Sequence, residues 1–228
     1  MGYLFGGTGI TQHADIVRSL FKAIVVLACL SMKCPFSLAE RSNANDETIV
    51  LIRHGEKPPS GLGQLTCKGL NRALALPSVL IGRYGKADFI YAPNPSVQVN
   101  DHSANGYSYV RPLATIEPTA IRLGMPVDAQ IGFDRIDLLQ QELLQPAHAH
   151  SLIFVAWEHL KLHEFAEQML KSYGTSQVQL PDWPNNDYET IYVFHITRTG
   201  PNGIPQATLE IQQEGLINSL SDTCPGPK

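Results

Sequence analysis

The sequence predicts an α/β protein, a three-layer α/β/α sandwich on a mainly parallel sheet, and three observations predict it. Short apolar runs rich in β-branched residues alternate with segments whose apolar residues recur at helical spacing. Ser151–Trp157 is almost uninterrupted apolar sequence, the pattern of a central strand buried on both faces. The segment after it places Leu162, Phe165, Ala166, Met169 and Leu170 on one helical stripe.

The elements follow in order. Ile49–Arg53 is the first strand. Thr66 caps a helix through Ala73, and Pro77 is expected to interrupt it before Val79-Leu80-Ile81. Asp88–Tyr91 is a second short strand, stopped by Pro93 and Pro95. Ser96 to Tyr109 is polar, glycine-containing and without periodicity, so it reads as a long loop of the kind that commonly carries function. Pro112 suits a helix's first turn, and Leu113, Ile116, Ala120 and Leu123 share a face until Gly124, with a kink expected at Pro118. Asp134 is expected to cap the next helix, whose Ile136, Leu139 and Leu143 face one way. After the helix that ends near Gly174, Thr190–Ile196 and Ala207–Ile211 read as late strands, antiparallel at a sheet edge. No internal repeat is visible.

With 43% hydrophobic and 17% charged residues in 228, the composition is that of a folded globular chain long enough for one sizeable core. A formal charge of −4 without a dense Lys/Arg cluster argues against a nucleic-acid partner. The first 39 residues differ in kind: Arg18 and Lys22 precede the apolar run Ala23–Met32, and Ser37-Leu38-Ala39 offers small residues for cleavage. That is the order of a secretory signal peptide, with a core too short for a stable membrane span. The expected division is therefore 1–39 leader and 40–228 catalytic domain, secreted or periplasmic. Removal of the leader would leave Cys67 and Cys224, which an oxidising compartment would allow to pair.

Thr48–Pro58, reading Thr-Ile-Val-Leu-Ile-Arg-His-Gly-Glu-Lys-Pro, is the most informative stretch. A buried strand stops at a cation, an imidazole and a glycine, and ligands in open α/β sheets bind beyond the carboxyl ends of strands. Arg53 suits an anionic group, His54 can act as nucleophile, base or metal ligand, and Gly55 lets the backbone turn and approach a ligand. Together they point to phosphate chemistry.

This stretch resembles the signature of the histidine phosphatase, or phosphoglycerate mutase-like, superfamily. Gly63-Gln64-Leu65-Thr66-Cys67-Lys68-Gly69-Leu70-Asn71-Arg72-Ala73 is similar to the family's L-T-x-x-G-x-x-x-A helix opening. Arg111-Pro112-Leu113-Ala114-Thr115 with Pro118-Thr119-Ala120 resembles the segment of its second arginine, and Phe154–His159 the strand that delivers its second histidine. The matches keep the family's order over residues 48 to 173. The resemblance implies a phosphoglycerate mutase-like fold and a histidine acid phosphatase-like phosphoric monoester hydrolase. It implies that His54 attacks phosphorus while Arg53, Arg111 and His159 hold the phosphoryl group. It also implies a covalent phosphohistidine hydrolysed by water, without metal or other cofactor.

The leaving group's proton donor stays open between Glu158 and Glu56, either of which can instead be a solvated or ion-paired carboxylate. His159 and His163 stand four apart, but no glutamate lies between them, and His148 and His150 fall about 20 Å away along the strand at about 3.3 Å per residue. Apart from His159 these read as surface residues, not a metal site. Tyr107, Tyr109 and Trp157 flank the site in sequence and can stack on a substrate or simply pack. The expected function is hydrolysis of a small phosphorylated substrate. A phosphomutase and a non-catalytic phosphate-binding or scaffold protein are the alternatives. The sequence identifies neither the substrate nor the oligomeric state.

Overall fold

The computed structural model describes Gly2 and residues 46–102, 105–174, 179–198 and 203–226. The expected leader, Gly2 apart, lies outside the described residues. Seven strands and four α-helices are described: β1 (Asp46–Arg53), α1 (Cys67–Tyr84), β2 (Phe89–Tyr91), β3 (Gln98–Val99), β4 (Tyr107–Ser108), α2 (Arg111–Leu123), α3 (Ile136–Leu143), β5 (Leu152–Trp157), α4 (His159–Tyr173), β6 (Thr190–Arg198) and β7 (Pro205–Gln213).

The sheet has the order β2-β5-β1-β6-β7. β5 runs parallel to both β1 and β2, while β6 is antiparallel to β1 and to the edge strand β7. Only β6 therefore opposes the common direction. The alternation of strand residues assigns the two faces. Ile49, Leu51, Ile153, Val155 and Trp157 pack with Leu139 and Leu143 of α3 and Leu162, Phe165 and Met169 of α4. Val50, Ile52, Phe154 and Ala156 pack with Leu76 and Leu80 of α1 and Ile116 and Ala120 of α2. The result is the expected α/β/α sandwich, with β1 and β5 buried on both sides.

Several local expectations need correction. Thr66 caps α1, its hydroxyl oxygen accepting from the Gly69 N–H at 3.1 Å, but the helix continues through Pro77 to Tyr84. Proline forfeits one helical hydrogen bond. Here Leu76, Pro77 and Leu80 are all buried, and that packing offsets the loss. Asp134 does not cap α3; Arg135 occupies the cap position and makes no side-chain cap bond. The stretch from Ser96 to Tyr109 is not loop throughout, since β3 and β4 pair within it. His148 is not a surface residue: it is buried, with Phe89 edge-on at 4.5 Å and Tyr91 Oη 2.9 Å from Nε2.

Cys67 and Cys224 form a disulfide, with Cα atoms 4.5 Å apart. Asn71 reinforces the link by donating to the carbonyls of Ser221 and Thr223, each at 2.8 Å. The tail is thereby tied to the first turns of α1. Among the described residues no helix is long and apolar enough to cross a membrane.

Candidate active site

β1 and β5 are parallel neighbours, and Arg53 stands opposite Trp157. Both chains leave the sheet there: the His54 N–H donates to the Trp157 carbonyl at 2.9 Å, and His159 opens α4 two residues later. Two strand ends in register thus deliver two imidazoles to the same edge. Arg53, His54, Arg111 and His159 are between 1% and 4% exposed, so all four side chains are buried.

His54 Nδ1 lies 2.7 Å from the Gly55 carbonyl oxygen. A carbonyl only accepts, so Nδ1 carries the proton and donates, which leaves Nε2 as the ring's free lone pair. Burial, then the charge of Arg111, then that of Arg53, lower the ring's pKa to about 3 against the opposing pull of the Gly55 bond. Neutral imidazole in this tautomer is the nucleophilic form.

Gly55 serves this geometry differently from the sequence expectation. Its φ is not positive, and its close approach is to the protein: a Cβ there would lie 2.8 Å from the Gly69 carbonyl oxygen. The missing side chain lets the start of α1 sit against the loop after His54. The Gly55 N–H donates to Thr115 Oγ1 at 2.9 Å, and that hydroxyl donates to the Arg111 carbonyl at 2.8 Å. One threonine therefore ties the His54 loop to the first turn of α2.

The two arginines are held by other parts of the chain. Arg53 Nη1 donates to the carbonyls of Asn185 at 2.9 Å and Asp187 at 2.6 Å, and the Tyr188 ring lies 3.8 Å from its guanidinium carbon. Arg111 donates to the carboxylate of Asp101 and, at 3.3 Å, to the Gly61 carbonyl. Its guanidinium lies 4.7 Å from the Tyr109 ring, which meets His54 edge-on at 6.0 Å. Among the described residues, the Nε of Arg53 and of Arg111 and the hydroxyl of Tyr109 are buried without an aligned hydrogen-bond partner. Buried donors without a partner are costly, and an added acceptor would satisfy them.

His159 has close neighbours at both ring nitrogens. Nε2 lies 2.8 Å from Asn185 Oδ1, and Nδ1, which has no aligned hydrogen bond, lies 2.5 Å from Glu158 Oε1. Asn185 thus meets Arg53 through its backbone and His159 through its side chain.

Neither candidate proton donor is poised to give up a proton. Glu158 is the N-cap of α4 and accepts from the Lys161 N–H at 3.0 Å. Burial pushes its pKa up, but His159 and the helix-start amides outweigh it and bring it to about 2. Glu56 is gripped at both oxygens by Arg72, at 2.8 and 3.0 Å, and that ion pair overcomes burial to hold its pKa below normal. Arg72 also meets Glu189 and Glu214, so one buried cation faces three carboxylates. The imbalance appears at Glu214, where burial, opposed by Arg72 and aided by Glu189 and Glu56, raises the pKa to about 8.

Of the aromatic residues that flank the site in sequence, Tyr109 is in it. Trp157 is in the core and donates to the Phe133 carbonyl at 2.8 Å, and Tyr107 belongs to β4. Asp101, Asn185, Asp187 and Tyr188 have no sequence signal of their own. The turn-rich 181–188 segment lies more than 125 residues beyond Arg53 and meets it only in the fold. Among the described residues, no group of three or more His, Cys, Asp or Glu is placed to hold a metal ion.

No protein family model matches the chain, and no curated protein does. Among solved structures, a candidate phosphohistidine phosphatase, SixA, from Nakamurella multipartitia is 16% identical, with 74% of this chain and 96% of that one covered and a TM-score of 0.45. A mycobacterial glucosyl-3-phosphoglycerate phosphatase bound to inorganic phosphate is 13% identical, with coverages of 72% and 95% and a TM-score of 0.45. A phosphoserine phosphatase from Entamoeba histolytica is 15% identical, with coverages of 76% and 99% and a TM-score of 0.39.

Proposed function

We propose that this chain is an exported phosphomonoesterase of the histidine phosphatase type, working through a phosphohistidine on His54. One observation carries the reading. His54 is held neutral with its Nδ1–H tied to Gly55, and it lies among Arg53, Arg111 and Tyr109, each of which has one buried donor without an aligned partner. A phosphoryl oxygen is the acceptor such donors fit, since guanidinium groups recognise phosphate with directed, charge-assisted bonds.

In the reaction, the Nε2 lone pair attacks phosphorus as the ester P–O bond breaks, and the leaving oxygen takes a proton from water, leaving hydroxide. Nδ1–H keeps its bond to Gly55, which stabilises the cationic ring of the phosphohistidine. Water then attacks phosphorus and gives up a proton to that hydroxide, the P–N bond breaks, and Nε2 regains its lone pair. Arg53 and Arg111 supply the preorganised positive charge on which phosphoryl transfer mostly depends. His159 joins them by exchanging Asn185 for a phosphoryl oxygen.

Export is the second half of the proposal. The support for it is the leader-like sequence before residue 40 together with the disulfide in the remaining domain, a combination that belongs to oxidising compartments. Secreted protein beginning at Glu40 is the expected product, and N-terminal sequencing checks it.

One observation favours the rival reading of a phosphate-binding protein without turnover. Both nearby glutamates are ionised and paired, so the resting site has no evident acid. A phosphomutase remains the enzymatic rival. Purified protein given p-nitrophenyl phosphate, with and without chelator, separates these readings. Chelator-resistant release of phosphate to water supports the hydrolase; phosphate binding without turnover supports the rival.

A further inference from the structure

Asp101 is a buried carboxylate beside a site that we read as taking an anion, where a negative charge opposes binding unless it has another task. Its contacts define that task. Oδ2 accepts from Arg111 Nη1 and, at 2.9 Å, from the Gly63 N–H, while Arg111 Nη2 stands 3.4 Å from Oδ1. The Arg111 backbone N–H donates to the Gly63 carbonyl at 3.2 Å, and the Gly61 carbonyl accepts from Nη1 at 3.3 Å. Asp101, Arg111 and the 61–63 turn thus close a ring of hydrogen bonds.

The turn itself is strained toward this arrangement. Gly61, Leu62 and Gly63 have φ of 74°, 56° and 65°, three successive left-handed residues with a non-glycine in the middle. Such backbone persists only where the surroundings hold it, and it collects at functional sites. The ring also decides which edge of the guanidinium is left without a partner. Nη1 is consumed by Asp101 and Gly61, so the edge left for an added acceptor is the one bearing Nε, which has no partner.

We infer that Asp101 is a positioning residue for Arg111, clamping the Nη1 end of its guanidinium so that the Nε edge is presented to the phosphoryl group. This rests on the reading of Arg111 as a phosphoryl-binding residue.

The test is a double-mutant cycle on the full chain with p-nitrophenyl phosphate. Asp101→Ala lowers kcat/KM by about 10- to 100-fold, as small misplacements of reacting groups do, with the loss mainly in kcat. Asp101→Asn loses less, because an amide oxygen can still accept from Nη1 and from the Gly63 N–H. In an Arg111→Ala background, Asp101→Ala costs nothing further, since the group it positions is gone. An equal loss in both backgrounds, accompanied by a lowered Tm, overturns the inference and makes Asp101 a loop staple. A lower KM and undiminished kcat in Asp101→Ala also overturn it, showing a carboxylate that merely competes with substrate. If Asp101→Ala does not fold, the Asp101→Asn loss is tested for the same disappearance in Arg111→Ala. Unchanged kcat/KM in Arg111→Ala alone contradicts the underlying site reading, a result distinct from additivity.

Discussion

Gly55 and Gly69 meet backbone to backbone, so closely that a Cβ on Gly55 would stand 2.8 Å from the Gly69 carbonyl oxygen and 2.9 Å from its Cα. The contact seats the N-terminal turn of α1 against the loop that holds His54. Gly55→Ala therefore displaces backbone rather than a flexible side chain. It should cost about 1–3 kcal/mol, the range for overpacking, together with activity, because the Gly55 carbonyl fixes the His54 tautomer. Denaturant melts and kcat/KM on one preparation check both effects; an unchanged midpoint contradicts the packing account.

Arg111→Ala should reduce kcat/KM by about 10²-fold or more, the scale of losing a preorganised donor that stabilises transition-state charge. Steady-state kinetics decide it, and a loss below about threefold, small beside that scale, would place Arg111 outside the working site.

His54 should remain unprotonated far below the ordinary imidazole range. Its pKa is lowered to about 3, so the nucleophilic form persists from neutral pH down to about that value and is lost below it. NMR titration of the ring should show no protonation near pH 6.5, and the acid limb of kcat/KM should contain no His54 step there. A ring titrating at 6 to 7 in the folded protein contradicts the electrostatic account.

The buried cluster around Arg72 should make stability fall with rising pH. Glu214 has a folded-state pKa raised to about 8 from an ordinary 4.5, so the folded form binds the proton more tightly. The stabilisation is complete below about pH 4.5 and is lost as pH rises toward and through 8. Glu47, raised to about 7 by burial despite its bond to Arg198, acts in the same direction over a narrower window. Glu214→Gln, a neutral isostere, should flatten the decline of Tm between pH 5 and 8.5 on the scale set by these pKa values. An equally steep decline in the variant assigns the slope elsewhere.

Cys67 and Cys224 close a loop with a sequence separation of 157. Loop-entropy models give such a link about 4–5 kcal/mol. Reduction or Cys224→Ser should lower the unfolding midpoint accordingly, and insensitivity to reductant would contradict the pairing.

Much of the frame is legible in the sequence because it depends on local periodicity. The β1 and β5 runs, the α4 stripe and the Gly124 stop all follow from spacing, and the structure keeps them, although β1 begins three residues before its apolar run, at Asp46. Pro77 misleads because burial of its neighbours, invisible locally, outweighs a broken hydrogen bond. His54 and Arg53 are legible because they end a strand. The partners that orient them are not: Asn185, Asp187 and Tyr188 arrive from more than 125 residues away. The pairing of Glu56 with Arg72 is a third kind of miss, since only the fold brings Glu189 and Glu214 to the same cation.

The most direct test of the central claim is rapid-quench trapping with a ³²P-labelled phosphomonoester. Wild-type protein should carry acid-labile, base-stable label, mapped by mass spectrometry to His54 and absent from a folded His54→Ala variant that has lost turnover. Turnover retained in His54→Ala, or label on another residue, would contradict that claim.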